Sequence, residues 1–315
     1  MIIKKRTKPL VLQKLEAVIP RLSPQFPRLA ELQRELSRRY RGYIGEQKVD
    51  YHLKQFARKY TILQDVCLEV DKNKFQIDGL VITEHAIYCI EMKNFKDRII
   101  FNTNLNQFTR SDGKIEQGYN HPVVQAETHQ LQLIRWLHER RIFNIPVYFL
   151  VAISDPSTII EVIGDEIAIS KVVKHTAFIP KEISAKENAL KAGGQVNIHH
   201  RKIGETILQA CLEHDFNILR TYGIESNDIM SGVHCPECRK LGMERIYGTW
   251  KCHDCGKKSK HAHLRAIADY LLLVKPWINN KQCMRFLHLT SSSLATRILK
   301  TSNLQYQKKY RRWIK

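Results

Sequence analysis

The sequence predicts an α/β core followed by two smaller units, and three observations carry that reading. Between residues 61 and 94 the segments TILQDVCLEV, FQIDGLVIT and AIYCIEMKN are short and rich in β-branched and aromatic residues, and read as consecutive strands. Apolar residues at helical spacing precede them, over 45–60, and follow them, over 123–143, which is the layering of an α/β fold. Beyond residue 233 the composition changes twice, to a cluster of four cysteines and then to a basic helical segment with Asp269 as its sole acidic residue.

A chain of 315 residues has room for two or three compact units. The boundaries read as a basic arm and helix over 1–41, the α/β core over 42–220, the cysteine unit over 233–258 and the tail over 262–315. Pro20, Pro24 and Pro27 break any long helix in the arm, which gives way to a helix near Leu29. A second helix is expected from Gly45 to Tyr60, with Val49, Leu53 and Phe56 on one face. RIIFNTNLNQFTRSDGKI reads as a hairpin closing on Asp112-Gly113, PVYFLVAIS as a buried strand, and Glu182–Arg220 as helix with a break at Gly193-Gly194.

The formal net charge is +20, from 51 basic and 31 acidic residues, which points to an anionic partner such as nucleic acid or a membrane surface. No apolar run approaches the ~18–20 residues that span a bilayer. The amino terminus lacks the apolar stretch and cleavage site of a signal peptide. Cys67, Cys89, Cys211 and Cys283 are scattered among apolar neighbours, the pattern of buried thiols in a reducing, cytoplasmic setting.

The chemistry concentrates in FQIDGLVITEHAIYCIEMKN. Glu91 and Lys93 are two apart on a strand and leave the same face. A two-residue turn at Glu84-His85 pairs Thr83 with Ala86 and, counting outward, Asp78 with Glu91. Directly opposed residues have Cβ atoms ~4.5–5.5 Å apart, so two carboxylates would face each other from apolar strands and repel. A divalent cation removes that cost, and oxygen donors select hard ions such as Mg²⁺ or Mn²⁺. Lys93 could hold a phosphate or orient water beside it. The plainer alternative is a salt bridge at a sheet edge.

Asp78 followed by Glu91-x-Lys93 resembles the PD-(D/E)xK nuclease core, and the flanking residues resemble the nuclease-related domain (NERD) more closely still. The likeness runs from the arm to about residue 160, through GYIGE at 42–46, QIDGLVIT at 76–83, IEMKN at 90–94 and NHPVVQAETHQLQLIRWL at 120–137. It implies a restriction-endonuclease-like fold and a metal-dependent phosphodiester hydrolase acting on DNA, with Glu46, Asp78, Glu91, Lys93 and Gln125 lining the site. Read alone, Glu46 is a first-turn acid on a helix, and Gln125, one turn before His129, caps backbone or meets a phosphate equally well. Ile77 stands where the superfamily often has proline. A member that binds DNA without cutting it is the rival expectation.

Cys235-x2-Cys238 and Cys252-x2-Cys255 aim four thiolates at one point, as in a zinc ribbon with a structural Zn²⁺. His253, His261 and His263 read as solvated or phosphate-facing, and Tyr247 and Trp250 as base-stacking or as core. In the tail, Asn280–Leu287, a turn at His288 and a second helix capped by Thr290 or Ser291 have the form of a helix-turn-helix. Leu294, Ala295, Ile298 and Leu299 form the apolar face of that helix. Ser293, Thr296, Arg297 and Lys300 face outward to meet DNA, and Lys308, Lys309, Arg311 and Arg312 could form a wing on its backbone.

Overall fold

The computed structural model describes residues 1–213 and 216–315. They cluster into two units, Met1–Lys8 with Arg39–His214, and Pro9–Arg38 with Asp215–Lys315. In chain order the elements open with β1 (Ile2–Lys4), α1 (Leu10–Val18) and α2 (Leu29–Leu53). Next come β2 (Thr61–Val70), β3 (Asn73–Ile82), β4 (Ile87–Lys93), β5 (Arg98–Asn102), β6 (Gln107–Ser111) and β7 (Glu116–Gly118). α3 (Pro122–Glu139), β8 (Val147–Ile153), β9 (Ile159–Ile163), α4 (Glu166–Val172), β10 (Val173–His175), α5 (Ile179–Ala192) and α6 (His200–Ala210) complete the first unit.

Its frame is a six-stranded sheet ordered β1-β2-β3-β4-β8-β10. β2, β3 and β4 form an antiparallel meander, and α3 carries the chain over to β8, parallel to β4. Leu133, Trp136, Ile203 and Ile207 of α3 and α6 join Leu80, Ile82 and Cys89 in one core. Val49 and Leu53 of α2 and Ile183 of α5 join Val81, Ile90 and Met92 in another. Burial on both faces explains why these strands read as nearly continuous apolar runs. A second sheet, ordered β7-β6-β5-β9, carries its own cluster around Phe101 and Phe108.

Two sequence expectations are corrected here. The helices read separately at Leu29 and Gly45 are one 25-residue helix. It runs through Gly45 because a Cβ there would stand 2.5 Å from Asn94 Cβ and 2.8 Å from Ser154 Oγ, so glycine allows the helix to lie against the ends of β4 and β8. The hairpin of β5 and β6 closes at residues 103–106, where Asn106 has φ 53°, whereas Asp112-Gly113 makes the next turn, into β7. The segment read as helix over 182–220 holds α5, α6 and the start of a third helix, and its residues 214–215 lie outside the described residues. Gly45→Ala is expected to lower stability by about 1–3 kcal/mol, since the backbone or Asn94 has to give way. An unchanged urea midpoint would show that α2 has room to withdraw.

In the second unit, residues 9–38, part of the stretch read as a basic arm and helix, contribute to a core. Val11, Leu15 and Val18 of α1 share a core with Ile218, Tyr222 and Leu273. Arg21 is fully buried, its Nε donating to Asp269 Oδ2 at 2.9 Å and its Nη1 to the carbonyls of Met230 and Gly232 at 3.0 and 3.2 Å. The elements that follow are α7 (Ile218–Tyr222), a ribbon of β11 (Glu244–Ile246), β12 (Thr249–Lys251) and β13 (Lys258–Ser259), then α8 (Ala262–Leu273). β14 (Trp277–Ile278), α9 (Asn280–Leu287), α10 (Ser292–Lys300), β15 (Gln305–Gln307) and β16 (Arg312–Ile314) complete it. The tail, read as helical, also holds strands: β14, β16 and β15 form a three-stranded antiparallel sheet around the C-terminal strand. No helix among the described residues is long and apolar enough to cross a membrane.

Candidate functional site

Thr83 and Ala86 flank the two-residue turn, with the Thr83 N–H donating to the Ala86 carbonyl at 2.9 Å, and the pairs Ile82↔Ile87 through Gly79↔Ile90 follow the expected register. The ladder stops one step before Asp78. Both β2 and β3 change inward parity there: Leu80 and Ile82 share a core with Ile77 and Phe75, as Leu63 does with Val66 and Leu68. Asp65, opposite, takes φ 56°. This irregularity lets the Asp78 carboxylate turn along β4, where Oδ2 accepts the Met92 N–H at 2.8 Å. The Asp78 side chain is crowded by protein while keeping some solvent access. Burial, then the charges of Glu91 and Glu46, push its carboxyl well above the usual carboxylate range, against the Met92 hydrogen bond and Arg6.

Glu91 is buried, and its Oε1 accepts from Lys93 Nζ at 2.7 Å. Lys93 Nζ also donates to Gln125 Oε1 at 2.9 Å, so α3 and β4 meet at this ammonium. Burial acts to raise the Glu91 carboxyl, but His129 and Lys93 together outweigh it and hold the group below its ordinary value. His129 Nδ1 lies 3.3 Å from Glu91 Oε2 without hydrogen-bond alignment, and that oxygen has no hydrogen-bond partner. Glu46, on α2, is engaged by a residue the sequence reading did not single out. Arg6 Nη1 donates to Glu46 Oε2 at 2.7 Å, Arg6 Nε to Asp50 Oδ2 at 2.8 Å, and Arg6 Nη2 to the Asp78 carbonyl at 2.5 Å. Burial raises Glu46 first, and the Arg6 charge opposes it. Asp50 follows Glu46 by one helical turn, a spacing that could have found it, just as the same spacing placed His129 one turn after Gln125 in the sequence reading. Arg6 carried no comparable signal.

Two observations would suit a hard divalent cation at Asp78 and Glu91: Glu91 Oε2 has only the misaligned His129 ring beside it and no hydrogen-bond partner, and the two carboxylates repel, which a 2+ charge would relieve. In the second unit the fit to a metal is closer. The sulfurs of Cys235, Cys238, Cys252 and Cys255 all lie within 4.8 Å of one another, with Cys235–Cys255 and Cys238–Cys252 at 3.6 Å. Four thiolates ~2.3 Å from a tetrahedral centre stand about this far apart. The two halves share one backbone design. The Cys235 N–H donates to the Lys240 carbonyl and the Cys252 N–H to the Lys257 carbonyl, with Arg239 and Gly256 both at positive φ. His263 is not solvated as expected: it is buried, accepts from Trp250 Nε1 at 3.1 Å, and burial lowers it to about 4. Trp250 belongs to the core and Tyr247 is fully exposed.

On the tail, α9 begins with a reciprocal cap between Asn279 and Gln282 and ends at His288 in the left-handed region. Ser291 caps α10, where Ala295, Ile298 and Leu299 are buried and Leu294 partly so. Ser293, Arg297 and Lys300 face solvent. Thr296 is half-buried and accepts from Asn280 Nδ2 at 2.6 Å, which ties the two helices together. Lys308, Lys309 and Arg311 are exposed in the wing, whereas Arg312 packs on the rings of Tyr310 and Trp277 and donates to Gln307.

The family model described as nuclease-related domain, NERD, matches residues 41–154. That stretch holds the end of α2, the β2–β4 meander, α3 and β8, and so every residue of the carboxylate cluster except Arg6. No curated protein and no solved structure matches the chain.

Proposed function

We propose that the protein hydrolyses phosphodiester bonds in DNA with Mg²⁺ or Mn²⁺ at Asp78 and Glu91, a reading supported by the match of residues 41–154 to the nuclease-related domain model. The observation that carries this is the buried Glu91, with one oxygen bound to Lys93 and the other without a hydrogen-bond partner, beside Asp78. When bound, the ion supplies positive charge at the phosphate and a more acidic water. Lys93, fixed by Glu91 and Gln125, holds a non-bridging oxygen or orients the attacking water, and Glu46 and Gln125 border the approach. The ribbon takes a structural Zn²⁺, and the winged helix contributes affinity through Ser293, Thr296, Arg297 and Lys300 with the wing cations. Cys67, Cys89, Cys211 and Cys283, scattered singly among apolar neighbours, favour a reducing, cytoplasmic setting.

The test is incubation of the whole chain with single-stranded and duplex DNA and RNA, with Mg²⁺, Mn²⁺ or chelator. Cleavage with metal alone supports the proposal. The second reading, a binder that keeps the frame, is favoured by the Arg6 ion pairs, which neutralise Glu46 and Asp50 without any metal. Tight binding with no product under any condition would establish that reading instead. For the tail, changing Arg297, Lys300, Lys308, Lys309 and Arg311 to glutamine is expected to weaken duplex binding and flatten its dependence on log salt, by ~0.9 for each phosphate no longer neutralised. An unchanged salt slope would remove the tail from the interface.

A further inference from the structure

A cavity of about 570 Å³ opens in the first unit beside the end of β8, with α2 as one wall and Pro156 and the approach to α5 at residues 175–177 as the other. It lies within the ~300–1,000 Å³ range of small-ligand pockets. Ile44, Lys48 and Tyr51 reach it from one face of α2, while Glu46 and Asp50, on another face of the same helix, meet Arg6. Its floor is tied to the carboxylate cluster. Ile153 is the register partner of Lys93, and the N–H of the next residue, Ser154, donates to the Lys93 carbonyl at 2.9 Å. Tyr51 is 76% exposed at the rim, its ring edge-on to His52 with centroids 5.5 Å apart. The lining is otherwise apolar or uncharged, with Lys48 as the cation and with His175 and Ser154 each holding a buried polar atom that lacks a partner.

We propose that this cavity takes the unpaired base of the nucleotide adjoining the phosphate at Lys93, with Tyr51 stacking on it and Lys48 meeting the strand. A single cation beside an aromatic rim and a mostly uncharged wall suits a flat neutral heterocycle better than a phosphate. The lining residue Ile153 stands one strand across the sheet from Lys93, a placement that suits a base whose own backbone lies in the cluster. A paired base cannot enter, so the strand has to be single or the base turned out of its stack. The inference rests on the nuclease reading for its place on the substrate, but its test does not need cleavage.

The probe is a four-nucleotide single-stranded DNA carrying 2-aminopurine, titrated with the full chain in chelator and read by fluorescence. Tyr51→Ala, a change at an exposed side chain, is expected to weaken binding about tenfold. The same change should have no effect on a probe with an abasic sugar at the labelled position. Equal affinity of wild type and Tyr51→Ala for the base-containing probe would overturn the proposal, whatever the protein cleaves. Tyr51-dependent binding by a protein that never cleaves would uphold the pocket and end the nuclease reading.

Discussion

Glu91→Ala is expected to lower the cleavage rate at least ~10³-fold, the largest single effect in the first unit. The change removes a proposed metal ligand, and several kcal/mol of charge stabilisation at ~1.4 kcal/mol per decade gives that factor. It also releases the partner of Lys93, whose ammonium would be left on Gln125 alone. Lys93→Ala should cost ~10²–10⁴-fold while metal still binds, since lysine is not a ligand in this scheme. Glu91→Gln should recover little, because the lost charge matters more than the lost oxygen. A readout independent of turnover is thermal melting. Mn²⁺ should raise the melting temperature of the wild type by relieving the repulsion between Asp78 and Glu91, and should leave Glu91→Ala unmoved. A wild type that cuts nothing and melts at the same temperature with and without metal would be a binder on a nuclease frame.

The second large effect belongs to the ribbon. Cys252→Ser should abolish the binding of one Zn²⁺ per chain and unfold residues 233–258, because a structural zinc supplies ~10–16 kcal/mol to such a unit. The damage should spread further than the ribbon. Val233, Met243, Cys252 and Trp250 share a single core with Ala266, Ile267, Ile298 and Trp313, so the winged helix loses part of its packing with the metal. The first unit, whose cores are built on the six-stranded sheet, should keep its own transition. Zinc analysis with calorimetry checks both statements. A zinc-free protein with an oxidised Cys235–Cys238 pair, melting as before, would assign the cysteines to redox chemistry.

Short-range patterns were legible in the residues. The two-residue turn at Glu84-His85 set the register of β3 and β4, and the CxxC spacing alone brought four sulfurs together. Alternation and turn chemistry act over a few residues, so the sequence displays them directly. Arg6 was hidden for the opposite reason. Its partners Glu46 and Asp50 are 40 and 44 residues away, and nothing local marks a buried guanidinium within a basic stretch. His263 looked solvated because its partner Trp250 stands on a different element. The slip of parity at Asp78 was equally invisible, since FQIDGLVIT reads as an unbroken strand. The wing sheet was only half legible, because β14 is two residues long and gains its identity by pairing with β16.

The composition of the second unit from both ends of the chain sets a schedule for its birth. Arg21 and Asp269 are 248 residues apart, so at ~5–20 residues per second a ribosome separates their emergence by roughly 12–50 s. Until residues 218–229 emerge, Val11, Leu15 and Val18 lack most of their core, although the intervening residues complete the six-stranded sheet. The nascent protein thus passes through a stage with a finished six-stranded sheet and an uncovered apolar helix, the kind of surface that chaperones hold and proteases find. The same logic governs dissection in the laboratory. Cutting the gene before residue 215 would not release a self-contained first unit, because the stranded helix at residues 10–18 would remain as a sticky appendage.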